Sequence, residues 1–524
     1  MKALAVLPLL LLPALAHAQV PASPQIMADV HAGDFQDAAQ LAAQTGDPLV
    51  AKLVTFFELT DPGGGTSDQI TQFQAQNPDW PEQALLSLRA KQAAGTTTPP
   101  RQTPEFLLQA EALFDAKQYP EAAQLWAAQG TQAFDSATPN EQPLFWPDAA
   151  ELARTLLLQN DAKDAYAVVL SITPLATSSE QLTDRDFLAG FLALRFLHQP
   201  TQAATWFRQL QAASPAVITQ ARAWYWLGRA EQGAAAQSDY EHAAAFPSTY
   251  YGQLASYALG ESPIELANRI KSAQPPDLSL QDALDFSLME LPRAGVLLAQ
   301  MGDNKDAAIF LNRLGAIAGD DKTRAMAAKL ALSLSLPQSA VAIARSSGAA
   351  GQMLLPDGWP MPYTPPSNGP LEPSVADGIM RQESSFDIGA LSPSGARGLM
   401  QLMPPTASAV ARQLGIQVSL ASLTIDPAPN IRLGTTYLQD MLSSFDNCLP
   451  LAAAAYNAGP HRVAQWLDQN GDPRTGPIDM VDWIELIPVG ETRNYVQRVT
   501  ENVVMYRAAR NDPAPILTTT PWTR

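Results

Sequence analysis

The polar and apolar positions of residues 24–350 predict a series of short helix pairs. This stretch is rich in Ala, Leu and Gln and shows little β-branched alternation, a composition that favours helices. A polar turn followed by an acidic or amide residue and then small residues recurs five times. Small side chains let two helices approach closely, so the pattern is typical of helix–turn–helix repeats. The equivalent small residues are Ala38, Ala122, Ala165, Ala203 and Ala307.

The repeats are degenerate and are followed by a proline-rich segment. The equivalent alanines lie 84, 43, 38 and 104 residues apart, so no fixed period exists. Seven prolines lie between positions 356 and 373, where a helix cannot persist. We therefore predict a helical-repeat domain over 19–352, an inter-domain linker over 353–372, a second domain over 373–512 and a tail over 513–524.

Composition and charge exclude several classes of protein. The chain of 524 residues is 46% hydrophobic, and its net charge of −18 argues against a nucleic-acid binder. From residue 373 onward, 14 acidic residues face 11 arginines and no lysine, so the acidity belongs mainly to the repeats. The single cysteine, Cys448, excludes an intrachain disulfide. The histidines are scattered, and we expect no metal or cofactor.

The N-terminus has the pattern of a secretory signal peptide. Lys2 precedes an apolar run, Ala3 to Leu15, and Ala16-His17-Ala18 forms a small-residue cleavage signal. The alternative, a buried N-terminal helix, fits poorly with two prolines in the run. We predict cleavage after residue 18 and export. No cysteine follows that position, so no lipid anchor is expected, and no later stretch is long and apolar enough to span a bilayer.

One glutamate in the second domain has the placement of a general acid. Ser374 begins a predicted helix, with Asp377 arranged as in a capping box. Glu383 follows on the apolar stripe of that helix, near its C-terminal end. Burial and the negative end of the helix dipole both raise a carboxyl pKa, as acid catalysis near neutral pH requires. On these residues alone, an ordinary glutamate paired with Arg381 or a backbone group is the stronger alternative.

The neighbouring motifs change that balance. They are Glu383-Ser384, Gly398-Leu399-Met400-Gln401, Ala455-Tyr456-Asn457-Ala458-Gly459-Pro460 and Glu491-Thr492-Arg493-Asn494-Tyr495. This set resembles the soluble lytic transglycosylases, whose catalytic domain is similar to goose-type lysozyme. The repeats resemble that family more weakly, around residues 186–196, 221–230 and 250–252. The resemblance implies an all-α fold, with an N-terminal α-superhelical domain followed by a lysozyme-like α-rich catalytic domain. Whether the superhelix closes into a ring stays open.

The resemblance implies a specific reaction. The family cleaves the β-1,4 bond between N-acetylmuramic acid and N-acetylglucosamine in peptidoglycan. Glu383 would protonate the glycosidic oxygen and then, as a carboxylate, take a proton from the C6 hydroxyl of the sugar. A 1,6-anhydro ring closes and no water is consumed. Two-carboxylate glycosidases need a second acid. The nearest, Asp387, matches no catalytic position and is interpreted as a cap or loop residue.

The same resemblance assigns the other site residues. Tyr456 matches a tyrosine whose hydroxyl lies near the catalytic glutamate. Six residues match positions that line the sugar site: Ser392, Gln401, Met403, Asn457, Glu491 and Tyr495. Structural alternatives stay open for several of them. Tyr456 and Asn457 also fit the end of a core helix, Met400 and Met403 fit a core, and Glu491 fits an N-terminal cap. Arg397 lies where the family commonly has small residues.

The expected partner is the peptidoglycan glycan strand, in the periplasm. Proteins of cell-wall synthesis or secretion are further candidate partners of the helical repeats, and we expect a monomer without a membrane anchor. Two alternatives stay open. The same fold could act as a hydrolytic muramidase, or the repeats could serve as a scaffold for the cell-wall machinery.

Overall fold

The structure is a computed structural model that describes residues 23–96, 102–365 and 371–511. Within these ranges it consists of helices and turns. The only β features there are isolated bridges from Arg397 to Leu391 and to Leu402. The predicted all-α class is confirmed. The predicted signal peptide, 1–18, and tail, 513–524, lie outside the described residues. None of the described helices combines the length and the apolar character needed to cross a membrane.

Two compact units divide the chain. The first comprises Met1–Pro99 and Pro275–Ser347. Its core includes an edge-to-face cluster of Phe56, Trp80 and Phe310. Its helices are α1 Pro24–Ala32, α2 Phe35–Thr45, α3 Pro48–Thr60, α4 Ser67–Gln76, α5 Gln83–Ala93, α16 Leu280–Leu288, α17 Glu290–Gln300, α18 Asn304–Ile317, α19 Asp321–Ser333 and α20 Pro337–Ala349, which ends just beyond the unit.

The second unit comprises Pro100–Gln274 and Gly348–Arg524. The long helix Gly490–Arg510 packs against the helices Pro373–Glu383 and Leu449–Ala458 and also against Tyr250–Ala258 and Pro263–Ser272. Its helices are α6 Glu105–Asp115, α7 Tyr119–Ser136, α8 Phe145–Leu158, α9 Ala162–Leu170, α10 Ser179–Arg195, α11 Pro200–Ala213, α12 Val217–Ala230, α13 Gly233–Ala244, α14 Tyr250–Ala258, α15 Pro263–Ser272, α21 Pro373–Glu383, α22 Pro404–Gln413, α23 Pro427–Ser444, α24 Leu449–Ala458, α25 Pro460–Asn470, α26 Met480–Glu485 and α27 Gly490–Arg510. Two 3-10 turns are Gln142–Leu144 and Ala421–Thr424.

All five predicted helix–turn–helix turns are present. In each, a residue with positive φ directly precedes the N-cap of the second helix, and the equivalent alanine is fully buried. The positive-φ residues are Gly33, Lys117, Asn160, His198 and Gly302. A sixth turn of the same form occurs at Ser335, followed by the buried Ala340. Sequence analysis missed it because its N-cap is Leu336, whereas the other five N-caps are polar.

The proline-rich segment forms no helix over 353–365, as predicted, but it is packed. The Trp359 indole donates to Asn502 Oδ1 at 3.1 Å, and Leu355 lies in a core cluster with Val504 of α27 and Leu266 of α15. The compact units divide the chain differently from the predicted boundaries, since residues 100–274 group with 348–524. Those boundaries stay a prediction.

The start of α21 corrects one expectation. The helix begins at Pro373, and its N-cap residue, Glu372, makes no side-chain capping bond. Asp377 does not cap it. Its carboxylate is buried and accepts the Nε–H of Arg510 from α27 at 2.9 Å. The predicted capping box is wrong because a cation on a packed neighbouring helix satisfies this carboxylate better than the local backbone does.

Candidate active site

Glu383 is the last residue of α21 and is half-buried there. Its Oε1 accepts a hydrogen bond of 2.7 Å from the Tyr495 hydroxyl of α27. Burial raises the pKa of the Glu383 carboxyl to about 7, the Tyr495 bond counteracts part of that rise, and the charge of Glu491 adds to it. A carboxyl with this pKa can both give and take a proton near neutral pH.

The turn after Glu383 fixes the end of α21. Ser385 and Phe386 both adopt positive φ, 53° and 69°, which reverses the chain immediately. The Ser384 hydroxyl donates to the Leu399 carbonyl at 2.8 Å and so ties the turn to the loop that carries the Gly398–Gln401 motif. Arg381, the alternative partner for Glu383, is engaged elsewhere. Its guanidinium donates to the Gly358 carbonyl and to Asn502 Oδ1.

A tight loop over 390–402 contacts that turn through the bond from Ser384 to the Leu399 carbonyl. Its backbone bends at Gly398, where φ is +70° and a Cβ atom would lie 2.0 Å from the Leu423 carbonyl oxygen. Buried Asn430 of α23 organises the loop. Its Oδ1 accepts the Met400 N–H at 2.8 Å, and its Nδ2 donates to the carbonyls of Arg397 and Leu423. Sequence analysis gave Asn430 no role.

Tyr456 of α24 feels the charge of Glu383, but its hydroxyl bonds to another group. Its hydroxyl donates to the Met400 carbonyl at 2.7 Å. Burial raises its pKa well above the usual value, and the charge of Glu383 raises it further. Tyr495 is the phenol that donates to Glu383 in this structure. The helix-end interpretation also holds, because α24 ends before Gly459, whose φ is +92°.

Gln401 and Ser392 serve the conformation of the loop. Gln401 has a positive φ of 45°, and its Nε2 donates to the carbonyls of Gly398 and Ala390 at 2.9 and 3.2 Å. Ser392 Oγ accepts the Ala396 N–H at 2.9 Å. Their polar side chains therefore have local partners in addition to any ligand.

Met400 and Met403 differ in their exposure to solvent. Met400 is fully buried, so the core interpretation fits it, whereas Met403 is 40% exposed at the start of α22. Its thioether is free to contact a ligand. A flexible, polarisable side chain suits an adaptable apolar surface.

The remaining predicted residues lie at the start of α27 or beside it. Asn457 Oδ1 accepts the Thr492 hydroxyl at 2.6 Å, which links α24 to α27. Glu491 is exposed in the first turn of α27 and makes no capping bond. Asp387 behaves as a loop residue, since its Oδ1 accepts the Gly389 N–H at 2.8 Å.

One potential metal-ligand group occurs among the described residues, and it lies in the first unit. It comprises His31, Asp303 and Asp306, whose ligand atoms lie within 4.8 Å of one another. The members of this group form hydrogen bonds with one another. His31 Nε2 pairs with Asp303 Oδ2 at 2.7 Å, and Asp303 Oδ1 accepts the Asp306 N–H at 3.0 Å. The spacing of 272 residues hides this contact from sequence analysis.

The fold and the site define a class of protein. The described residues form an all-α fold whose C-terminal region presents Glu383, a carboxyl of raised pKa that accepts a phenol hydroxyl, beside a loop built on buried Asn430. Consistent with this, residues 367–477 match the family model described as "Transglycosylase SLT domain".

Curated relatives extend the match. The chain is 41% identical over 152 residues to "Soluble lytic murein transglycosylase" of Escherichia coli K12, which covers 29% of this chain and 23% of that protein. It is 36% identical over 145 residues to "Putative soluble lytic murein transglycosylase" of Haemophilus influenzae, covering 28% and 24%. The match thus spans about a quarter of the length of these relatives. The resemblance to soluble lytic transglycosylases predicted from the motifs is confirmed.

Solved structures show the same fold over most of the chain. An inactive mutant of lytic transglycosylase Slt from Pseudomonas aeruginosa aligns with a TM-score of 0.58 and 23% identity, covering 94% of this chain and 82% of that one. The 70-kDa soluble lytic transglycosylase complexed with bulgecin A aligns with a TM-score of 0.54 and 18% identity, covering 95% and 98%. The predicted arrangement of superhelical repeats followed by a lysozyme-like domain is confirmed as a fold class.

Proposed function

We propose that this protein is a lytic transglycosylase that cleaves the β-1,4 bond between N-acetylmuramic acid and N-acetylglucosamine in peptidoglycan. The observation that carries the proposal is the environment of Glu383. Burial raises the pKa of its carboxyl to about 7, and its Oε1 accepts a hydrogen bond from the Tyr495 hydroxyl. The names of the curated relatives, which are murein transglycosylases, support the substrate class.

In the first step, Glu383 acts as the acid. Because Tyr495 donates to Oε1, the transferable proton resides on Oε2. Oε2 gives that proton to the glycosidic oxygen as the bond from this oxygen to C1 of N-acetylmuramic acid breaks. The N-acetylglucosamine end leaves as an alcohol, and positive charge develops at C1. The Glu383 carboxylate now faces that charge and stabilises it.

In the second step, the same carboxylate acts as the base. It takes the proton of the C6 hydroxyl, and the C6 oxygen bonds to C1 to close the 1,6-anhydro ring. Glu383 ends protonated, as it began, so one residue completes the cycle without water. A pKa near 7 suits a group that must serve as acid and as base at the same pH.

The two tyrosines have distinct parts in this scheme. Tyr495 stabilises the carboxylate by donating to it, and so limits the rise in its pKa. The hydrogen of Tyr456 is committed to Met400, so only the oxygen lone pairs of Tyr456 can face the substrate. Those lone pairs can accept from a sugar hydroxyl. Met403, exposed at the start of α22, supplies an apolar contact for a sugar ring.

The proposal is tested by digesting purified sacculi with the wild-type protein and with Glu383→Gln. Wild type should release muropeptides with 1,6-anhydro ends, and Glu383→Gln should fold normally and release none. Asp387→Asn is the matched control, because it removes the nearest acid in the sequence and should keep full activity. Full activity in Glu383→Gln would refute the assignment. Products heavier by one water would identify the alternative, a hydrolytic muramidase.

We also propose that the protein acts in the periplasm, where peptidoglycan lies. The predicted cleavage site before Gln19 supports this location, and N-terminal sequencing of the exported protein tests it. A mature chain that keeps Met1 would contradict it.

We further propose that surfaces of the helical repeats bind cell-wall synthesis or secretion proteins. Cross-linking of the full chain in cells tests this proposal, and capture of peptidoglycan alone would count against it.

A further inference from the structure

A fully buried carboxylate connects the repeat helices of the second unit to the start of α27. Glu485, the last residue of α26, accepts hydrogen bonds from the Tyr251 hydroxyl of α14, from Gln497 Nε2 of α27 at 2.8 Å and from Arg222 of α12 at 3.0 Å. Gln497 Nε2 also lies 3.3 Å from the Tyr251 hydroxyl. A buried carboxylate is tolerated only when such partners surround it, so the arrangement constrains every helix that contributes one.

Those constraints act on the turns of α27 that carry the site. Tyr495 lies two residues before Gln497. Arg493, two residues before Tyr495, donates to the Ile487 carbonyl at 2.7 Å. Thr492 is tied to Asn457. Further along, the Glu501 carboxylate accepts the Tyr250 N–H, the first N–H of α14, at 2.7 Å. The N-terminal half of α27 is therefore fixed from the repeat side as well as from α24.

We propose that Tyr251 and Arg222 of the repeats are positioning residues for Glu383: through Glu485 and Gln497 they hold α27 in the register that directs the Tyr495 hydroxyl at the Glu383 carboxyl. This inference rests on the proposed function for its kinetic consequence but not for its structural one. It gives α12 and α14, which lie outside the predicted second domain, a part in positioning the site.

The groups that face Glu383 predict the direction of the effect. They are Tyr495 and Glu491 from α27 and Tyr456 from α24. In the folded protein the Tyr495 bond lowers the pKa of Glu383, whereas the charge of Glu491 raises it. Loosening α27 weakens both influences. The Tyr495 effect is the larger of the two, so the pKa of Glu383 should rise.

The test combines Tyr251→Phe, Tyr495→Phe and their double variant. Tyr251→Phe should raise the pKa of Glu383 by about half a unit. This pKa is measured by NMR titration of 13C-labelled glutamate carboxyls, and the spectrum of Glu383→Gln assigns the Glu383 signal. It should lower kcat roughly threefold to tenfold with little change in KM, the effect of one hydrogen bond. In the Tyr495→Phe background, Tyr251→Phe should add nothing to the pKa change, because both act through the same bond.

Tyr257→Phe is the matched control. It removes a buried hydroxyl from the same helix, α14, that has no hydrogen-bond partner among the described residues. It should leave both the pKa and kcat unchanged. Should Tyr251→Phe fail to fold, Gln497→Met removes the donor of α27 that bonds to Glu485 and should give the same rise in the pKa of Glu383.

Two results would overturn the proposal. One is a Tyr251→Phe protein that melts at a lower temperature but keeps the Glu383 pKa and kcat of wild type, since that is a purely structural role. The other is a full, additive effect of Tyr251→Phe in the Tyr495→Phe background. If wild type released no anhydro product, the proposed function would fall, but the NMR titration would still decide whether Tyr251 acts on Glu383.

Discussion

The raised pKa of Glu383 implies that the ionised carboxylate destabilises the folded protein. The pKa is about 7 in the folded chain against an ordinary value of 4.5. The stability that this group supplies is therefore fully present below about pH 4.5 and is lost as the pH rises through about 7. Glu383→Gln keeps a neutral side chain that accepts the Tyr495 hydrogen bond at every pH. We predict that this variant becomes more stable than wild type as the pH rises.

The structure sets the size of the effect. One pKa unit corresponds to about 1.4 kcal/mol, so the full difference is about 3 kcal/mol. Because Glu383 is only half-buried, solvent screening reduces this to about 2 kcal/mol. Part of this loss in the free energy of unfolding occurs below about pH 5, where the carboxyl of the unfolded chain already ionises. Between about pH 5 and about pH 8.5, the stability gap should widen by about 1–2 kcal/mol in favour of the variant.

Urea unfolding of both proteins at the two pH values measures this gap. Other titrating groups contribute equally to wild type and variant, so they cancel in the difference. Asp387→Asn is the control, since its free energy of unfolding should track that of wild type at both pH values. A gap that stays constant between the two pH values would refute the assignment of a raised pKa to Glu383. So would a wild type that gains on the variant as the pH rises.

Three further outcomes follow from the same geometry. Tyr495→Phe removes the hydrogen bond that lowers the pKa of Glu383, so the alkaline limb of the pH–activity profile should move to higher pH by about one unit; a limb that stays or moves down contradicts this. Asn430→Ala leaves buried loop groups without partners and should cost about 2–4 kcal/mol of stability in thermal or urea unfolding, together with most of the activity; a neutral result contradicts its organising role. Gly398→Ala should destabilise by more than Gly395→Ala, because both have positive φ but only Gly398 lacks space for a Cβ; equal losses in unfolding experiments would show that the close approach is unimportant.

Local patterns carried most of the prediction of the fold. The recurring turn pattern identified five helix–turn–helix junctions because short-range preferences determine such turns. Each junction has a residue with positive φ, then an N-cap, and a small buried residue five positions after the positive-φ residue. The sixth junction, at Ser335, keeps the geometry with an apolar N-cap, Leu336. Its residue types do not show the pattern that its backbone follows.

Long-range contacts account for what local patterns missed. Asp377 has the spacing of a capping residue, but its partner is Arg510, 133 residues later. Likewise, the packing of residues 100–274 with 348–524 depends on contacts such as the one between Arg222 and Glu485, 263 residues apart. Neither sequence spacing nor hydrophobic period contains that information.

The site shows the same division. Placing Glu383 at the end of an apolar helix stripe predicted the direction of its pKa correctly, since burial is the main cause. The identity of the bonded phenol was not predictable. Tyr456 and Tyr495 both interact with Glu383, and which of them donates to it depends on Met400. The Met400 carbonyl accepts the Tyr456 hydroxyl, while the Met400 N–H is held by Asn430. That chain of contacts exists only in the folded structure.

In the proposed reaction, Glu383 cleaves a glycan with the sugar's own C6 hydroxyl as the nucleophile. Digestion of sacculi in water enriched in 18O, followed by mass spectrometry of the released muropeptides, tests it most directly. The proposed reaction predicts anhydro products that carry no 18O, and no release by Glu383→Gln. Products with one 18O atom at a reducing muramic acid end would show that water is the nucleophile and would contradict the proposed reaction.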